Sequence, residues 1–507
     1  MEGTRTKRQK TLAKKDKKAE NPRKRDFLSE LPESLCHHIF SYLTMEEVIR
    51  TSLLGKRWRY FWLSVPCLNF TSLKMSSCRK VAFIDRSLVL HKGPKVQKLS
   101  ISLKYRTSFA YQVNSWIHFA LTRNIDELYL DFLNKEKIAY SSWYPFYCGF
   151  KLPNFIFDCG CLKVLALNCC DLILPEKFKL SSLKVLYLEH LEFSGGTIND
   201  LISSSPFLED LSMINCNRRS DLNIFIMNVG MKSLKIHEYN VCLSSTNLEI
   251  YAPYLLSFEI HTSMSRKNYV VKRMQSLENA SFDCCGFHTY CGELNTEDKG
   301  YSIVKILDEV CHVKDLRLGS CYIQVLSMRQ ERSPESLSFD AACLGLKTGL
   351  TEWELPGISY MLRHLQHVET LMISIDKVEQ MKRVDESNGK CDSEAGQYWN
   401  LQEPHFTHLL QNLKTVKINN FMKNLSVLQR KHISYTDKEL LEQLQNDMNF
   451  LRFLLKNSKM LERVIIITCK DIHFGKSVSK KMKLLFQLTK ELLAFPRASR
   501  DAEISFS

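Results

Sequence analysis

With 507 residues, 44% of them hydrophobic and 25% charged, the chain has ample apolar surface for a folded interior. It is too long for one compact core, so several domains or an elongated repeat are expected. No apolar run reaches the roughly 18 residues of a membrane span, and the N-terminus lacks the apolar core of a signal peptide, which points to a soluble, intracellular protein without a membrane partner.

The net charge of +15 suggests nucleic acid until it is located. Residues 1–25 hold Arg5, Lys7, Arg8, Lys10, Lys14, Lys15, Lys17, Lys18, Arg23, Lys24 and Arg25 against Glu2, Asp16 and Glu20, a net +8 that leaves +7 for all the rest. No aromatic residue is interleaved with them to stack on bases, so nucleic acid is not an expected partner. The segment reads either as a solvated, disordered leader or as a nuclear-import signal. Its eleven basic residues are the import candidates, and a protein shared between nucleus and cytoplasm is the matching localisation.

Residues 31–70 pack three short helical signals into one stretch. Leu35, Ile39 and Leu43 recur at four-residue steps and share one helix face, which Pro32 is placed to open. Thr44 with Glu47 makes a capping box, so a second helix begins there, carrying Val48, Leu53 and Leu54 up to Gly55. Lys56, Arg57, Trp58 and Arg59 then lead into Phe61, Trp62 and Pro66, an aromatic cluster too apolar for so small a unit to hide by itself. The pattern is that of a docking module.

The same residues resemble the F-box in the form common among plant proteins, which opens with Leu-Pro and closes with Ser-x-Leu-x-Lys-Arg-Trp-x-x-Leu-Trp. Here the opening is Leu31 and Pro32, and the closing run extends from Ser52 through Lys56, Arg57 and Trp58 to Trp62. Cys36 departs from the usual Leu or Ile, and Gly55 stands where Ser often caps the third helix, a loss of roughly a few tenths of a kcal/mol. The resemblance implies contact with a Skp-type adaptor through Leu31, Pro32, Leu35, Ile39, Leu43, Val48, Leu53, Trp58 and Trp62, some of which must also build the module's own core.

Between residues 96 and 464 one phrase recurs: an apolar residue, two variable ones, an apolar, one variable, an apolar. Copies begin at Val96, Ile125, Leu162, Leu183, Leu208, Met231, Leu255, Leu277, Val313, Val368, Leu413 and Leu461. From Leu162 to Leu277 the steps are 21, 25, 23, 24 and 22 residues, inside the roughly 20 to 29 residue period of leucine-rich repeats. In such a repeat each triplet forms a strand whose inward side chains stack on those of the next copy. The turn position eight residues after the first apolar is Cys170, Cys216, Cys285 and Cys321 in four copies. These cysteines are expected to be buried free thiols, as all eighteen are in a reducing compartment.

Signatures of catalysis and of metal binding are weak throughout. Cys284, Cys285, His288 and Cys291 lack a Cys-x-x-Cys pair, and adjacent cysteines point to opposite faces of a strand, so no metal is expected there. Gly475, Lys476 and Ser477 spell the end of a phosphate-binding loop, but Lys470 occupies the place of its first Gly. His364, His367 and Glu369 read as solvated residues at a helix end rather than as an acid/base group.

After Ile375 a polar stretch reads as a long surface loop, and order resumes at His405. Residues 413–421 form a strand phrase, a helix carries Leu440, Leu444, Met448, Leu451 and Leu455 on one face, and residues 459–465 return to a strand. This region resembles the FBD segment that follows leucine-rich repeats in many plant F-box proteins, down to a tail like Arg497 to Ile504. On physical grounds it should cap the open end of the solenoid.

The expected fold is α/β: a small all-helical F-box followed by a leucine-rich-repeat solenoid, a horseshoe, with a C-terminal α/β cap. The expected divisions are a basic tail (1–25), the F-box (26–70), repeats (71–380), a polar loop (381–404) and the FBD-like region (405–507). The resemblance implies a non-catalytic, cofactor-free substrate-recognition subunit of an SCF (Skp, cullin, F-box) ubiquitin ligase. Its F-box would hold a Skp-type adaptor, and through it cullin and RING subunits, while the repeats hold a target protein. The alternative, which the basic tail supports, is a repeat scaffold or chromatin-associated binder that does not recruit the ligase. A third reading is a small-molecule receptor with a pocket between repeats.

Overall fold

The structure, a computed structural model, describes residues 30–133, 149–191, 193, 195–216, 223–238, 246–262, 266–284, 296–330, 338–365, 367–376, 398–402, 406, 410–423, 444–469 and 478–506. The basic tail, three of the four members of the cysteine and histidine cluster (Cys285, His288 and Cys291), and Gly475 to Ser477 lie outside them.

A single sheet of fifteen parallel strands runs the length of the described chain. In sheet order these are β1 (Cys67–Phe70), β2 (Lys98–Ser102), β3 (Glu127–Asp131), β4 (Val164–Asn168), β5 (Val185–Glu189), β6 (Asp210–Ile214), β8 (Ser233–Glu238) and β10 (Ser257–Thr262). They continue through β12 (Asn279–Asp283), β13 (Asp315–Gly319), β14 (Cys343–Thr348), β15 (Thr370–Ile375), β16 (Thr415–Phe421), β17 (Arg463–Thr468) and β18 (Glu503–Phe506). Each pairs with its neighbour in the register that the recurring phrase dictates, so Leu128 lies against Leu165, Leu186 against Leu211 and Leu211 against Leu234. These apolar positions are buried in one continuous core. A fully buried Leu, Ile or Phe stabilises by about 1.5–3 kcal/mol, but only where the next copy covers it.

All twelve copies of the phrase are strands, and three further strands escape it. β1 lies at the end of the helical module and joins it directly to the sheet, pairing Phe70 with Ile101. β14 begins its phrase with Ala341, too small to stand out as a repeat start, although it is fully buried. β18 closes the far edge, pairing Ile504 with Val464. The C-terminal α/β segment thus continues the sheet rather than forming a separate layer.

Most return legs are helices, among them Ala110–Leu121, Gly195–Ser203, Thr296–Glu309, Ser320–Gln330, Leu355–His364, Gln445–Asn457 and Val478–Leu493. Three consecutive repeats return instead through β7 (Ile224–Met227), β9 (Asn247–Tyr251) and β11 (Asn268–Lys272), a second parallel sheet in the order β11, β9, β7. Arg266 and Glu238 form a buried ion pair (Nη2 to Oε1, 2.6 Å) at the end of this stretch. Arg266 also donates to Thr246 Oγ1 and to the Asn247 carbonyl, further partners for a charge buried between two strand layers.

Two expectations are corrected. Cys321 is not a free thiol: it is disulfide-bonded to Cys284, with Cα atoms 5.8 Å apart. The two are 37 residues apart in sequence, but β12 and β13 are adjacent and in register, so the residues that follow each strand meet. The polar stretch after Ile375 is also not all loop, because Tyr398–Gln402 is helical and buries Trp399 against Phe450 and Phe453.

Candidate functional site

The helical module is built on a core different from its apparent apolar stripe. In the helix Glu33–Phe40 it is Cys36 and Phe40 that turn inward, where Phe40 meets Trp58 and Phe61 at ring distances of 5.6 and 5.1 Å. Leu35 and Ile39, one residue earlier in each turn, are left 49% and 43% exposed. The helix Met45–Arg50 has the expected capping box: Thr44 Oγ1 accepts from the Glu47 amide and Glu47 Oε2 accepts from the Thr44 amide. That helix ends at Arg50 and not at Gly55, followed by a 3₁₀ turn at Thr51–Leu53, and the segment Trp58–Ser64 is a further 3₁₀ helix. Arg57 donates to the Leu31 carbonyl at 2.5 Å, tying the Leu-Pro opening to the Lys-Arg-Trp run.

The nine candidates for adaptor contact separate by burial. Val48 and Trp58 lie inside the module, 0% and 5% exposed. Pro32, Leu35, Ile39 and Leu53 are exposed, and Leu31, Leu43 and Trp62 are half-buried at its margin. Tyr42, Leu54 and Tyr60 are exposed as well. None of these three lies in the helix Glu33–Phe40, and their only signal in the sequence was apolar or aromatic character beside the Leu-Pro and Lys-Arg-Trp runs. Together these residues leave an apolar surface on a module of about forty residues, more than isolated exposed side chains would give.

A second surface is the open face of the long sheet, where every other strand residue points away from the core. From β10 to β16 it forms a pocket of about 580 Å³ whose lining includes Glu259, His261, Asp283, Arg317, Lys347 and Ser374. Its charges are paired across and along strands. Lys347 Nζ of β14 is 2.7 Å from Asp283 Oδ2 of β12, and Arg317 holds Asp315 of its own strand at 2.9 Å. His237 Nε2 lies 2.8 Å from Glu259 Oε1. Burial, reinforced by the neighbouring His261 imidazole, pushes His237 down to about 4. Burial works the other way on Glu259, yet hydrogen bonds from Lys235 and His237 hold its carboxyl below the usual range.

The turn cysteines behave as structural residues where they are described. Cys216 Sγ donates to the carbonyls of Leu188 and Ile214, and burial pushes its thiol up to about 12. Cys170 Sγ donates to the Asn168 carbonyl. His364 and His367 do not form a catalytic group with Glu369: His364 Nδ1 lies 2.8 Å from the Tyr360 carbonyl, while Glu369 pairs with Lys414. Among the described residues no helix is long and apolar enough to cross a membrane.

A helical docking module running directly into a parallel-strand solenoid defines a non-catalytic recognition scaffold with one surface at each level. Residues 88–449 match the family described as the At1g61320/AtMIF1 LRR domain, and residues 28–70 match the F-box domain. The chain belongs to this family of leucine-rich-repeat proteins and carries an F-box ahead of the repeats. Among Arabidopsis thaliana proteins, it is 25% identical to F-box/LRR-repeat protein At5g02910 over 451 residues, 87% of this chain and 88% of that one. It is 24% identical to F-box/FBD/LRR-repeat protein At1g51370 over 476 residues, 94% of each. It is also 27% identical to the putative F-box/LRR-repeat protein At5g02930, over 69% of this chain and 72% of that one.

Proposed function

We propose that this protein is the substrate-recognition subunit of an SCF-type ubiquitin ligase. Its F-box holds a Skp-type adaptor, and through it cullin and RING subunits. The observation that carries the reading is the apolar outer surface of the F-box, with Leu53 86%, Leu54 67% and Leu35 49% exposed. Leu31, Pro32, Leu35, Ile39, Leu43, Leu53 and Trp62 touch the adaptor, with Tyr42, Leu54 and Tyr60 beside them, while Val48 and Trp58 hold the surface from within. The open face of the sheet binds the target protein. A rigid solenoid then keeps that target near a charged ubiquitin-conjugating enzyme and raises its effective concentration there.

Co-purification of the full chain with the adaptor tests this. Changing Leu31 and Pro32 together to Ala, or Leu35 and Ile39 together to Asp, should abolish adaptor binding while the thermal transition of the repeats stays in place. Binding at wild-type strength in both variants would show that the docking face is elsewhere. If the unaltered chain brings down no adaptor, the non-ligase scaffold is the better description. Residues 1–25 direct nuclear import on this reading. A fluorescent reporter fused to them should gather in the nucleus, and a purely cytoplasmic reporter would make the segment an inert leader.

A further inference from the structure

Pairing of β8 with β10 sets two imidazoles side by side on the open face. His237 and His261 are register partners on these adjacent parallel strands, and their rings stack with centroids 4.0 Å apart and planes 5° from parallel. Glu259, two residues before His261, points to the same face because strand side chains alternate. Its Oε1 lies 2.8 Å from His237 Nε2 and 3.5 Å from His261 Nε2. The three ligand atoms lie within 4.8 Å of one another, and among the described residues no other group of three His, Cys, Asp or Glu side chains converges in this way. We propose that His237, Glu259 and His261 bind a single divalent transition-metal ion, Zn²⁺ by their chemistry, with a coordination position left open toward the pocket.

The donor set selects the metal. Two imidazoles and one carboxylate form a three-ligand set that leaves zinc a fourth, exchangeable position. Magnesium and calcium prefer all-oxygen surroundings. With ligand bonds of about 2.0–2.2 Å, a tetrahedral site places its donors roughly 3.3 Å from one another. The two distances to Glu259 bracket that value, and because stacked rings aim their in-plane lone pairs along parallel planes, binding requires the imidazoles to turn out of the stack on their fixed backbone. Both histidines sit on one rigid sheet, so the site needs no loop to order itself.

The surrounding charges are compatible. Lys235 Nζ lies 3.1 Å from Glu259 Oε2 and 3.0 Å from Oε1. It can keep Oε2 while Oε1 turns to the ion, but it competes for the same carboxylate. Asp283, the register partner of His261 on β12, adds negative charge beyond the second ring and is held by Lys347. His261 and Glu259 also line the pocket, so the open position faces whatever occupies it. A carboxylate, imidazole or thiolate of a docked protein would complete the coordination. This assignment stands apart from adaptor docking, since it concerns the middle of the long sheet, several strands away from the F-box at β1.

The test uses the full chain, stripped of metal with a chelator and titrated with Co²⁺ as a spectroscopic stand-in. Expected are one equivalent taken up, visible ligand-field bands of a four- or five-coordinate ion, no thiolate-to-cobalt charge transfer, and displacement by Zn²⁺. Glu259→Gln and His261→Gln should each weaken uptake by at least about tenfold. Lys235→Met should tighten it, which a merely structural hydrogen-bonded cluster would not do. No uptake by the folded unaltered chain, a thiolate charge-transfer band, or unchanged affinity in Glu259→Gln would overturn the assignment. Should the ligand variants fail to fold, Lys235→Met decides: tighter binding supports the site, and equal or weaker binding refutes it.

Discussion

At the turn after four of the strands, one backbone angle decides which side chains fit. Cys169, His190, Asn215 and Asn420 all sit seven residues after the start of their phrase and all have positive φ, between 51° and 58°. Asn tolerates that left-handed conformation better than most residues, and the others are held in it by the repeat. The next position then turns back under the strand, which is where Cys170 and Cys216 are buried. Cys216 donates to the Leu188 and Ile214 carbonyls, the second of which also accepts from the His190 amide, so Cys216→Asn should be tolerated because its amide offers donors to the same pair. Cys216→Phe should cost roughly 1–3 kcal/mol through overpacking, read from the denaturant midpoint. In the native chain Cys216 should also resist alkylation at a pH where exposed Cys78 reacts, because burial keeps its thiol protonated. Equal labelling of the two would show that the turn opens. The offset of these cysteines was legible in the sequence because it is fixed within a repeat. The Cys284 to Cys321 bond was not, since it depends on β12 and β13 lying side by side in register across a sequence separation of 37.

At the scale of elements, the strands announced themselves and the helices behind them did not. A triplet such as Leu186, Leu188 and their neighbours keeps its spacing in every copy because the sheet register demands it. The helix Ser320–Gln330 shows no comparable stripe, for its residues from Cys321 to Ser327 are buried all round. With no polar face, the helical period has nothing to contrast with. Its fit against the helix Leu355–His364 turns on Gly357, whose amide donates to Ser327 Oγ at 2.7 Å. A methyl group at that position would run into the Ile323 carbonyl and the same hydroxyl. In an exposed helix Gly→Ala stabilises by about 1 kcal/mol. Here Gly357→Ala should instead destabilise by roughly 1–3 kcal/mol, because two buried helices must separate to admit the methyl. Chemical denaturation of the full chain gives the sign directly, and a gain in stability would mean that the two helices are not in close contact. The capping box at Thr44 and Glu47 shows the opposite case, readable at once because both partners lie within one turn.

Across the whole molecule, the F-box, the repeats and the C-terminal segment share one sheet, so their boundaries in sequence are not boundaries in packing. Phe70, at the end of the F-box match, is already covered by Ile101 of the next strand. At the other end Val416 and Ile418 of β16 cover Leu371 and Ile373 of β15. Charges just ahead of the strands follow the same stacking: Asp126 bridges Lys95 and Lys163, and Glu209 bridges Lys184 and Lys232. These pairs are exposed and each adds little to stability, but opposite signs in neighbouring copies favour one register over a slipped one. The FBD-like region was recognisable by resemblance, and its copies of the phrase at Leu413 and Leu461 already read as repeat strands, but the long insertions around them hid that they extend the same sheet instead of forming a separate cap. A chain ended after Asp376 tests that continuity. It would expose the hydrogen-bonding edge of β15 together with Leu371, Ile373 and Ile375, a flat apolar edge that invites pairing with another copy. Light scattering during size-exclusion chromatography should then show self-association or loss of soluble protein, and the thermal transition should fall. A monomer with an unshifted transition would mean that residues 398–506 fold as a separable unit, and that the sheet is capped before β16.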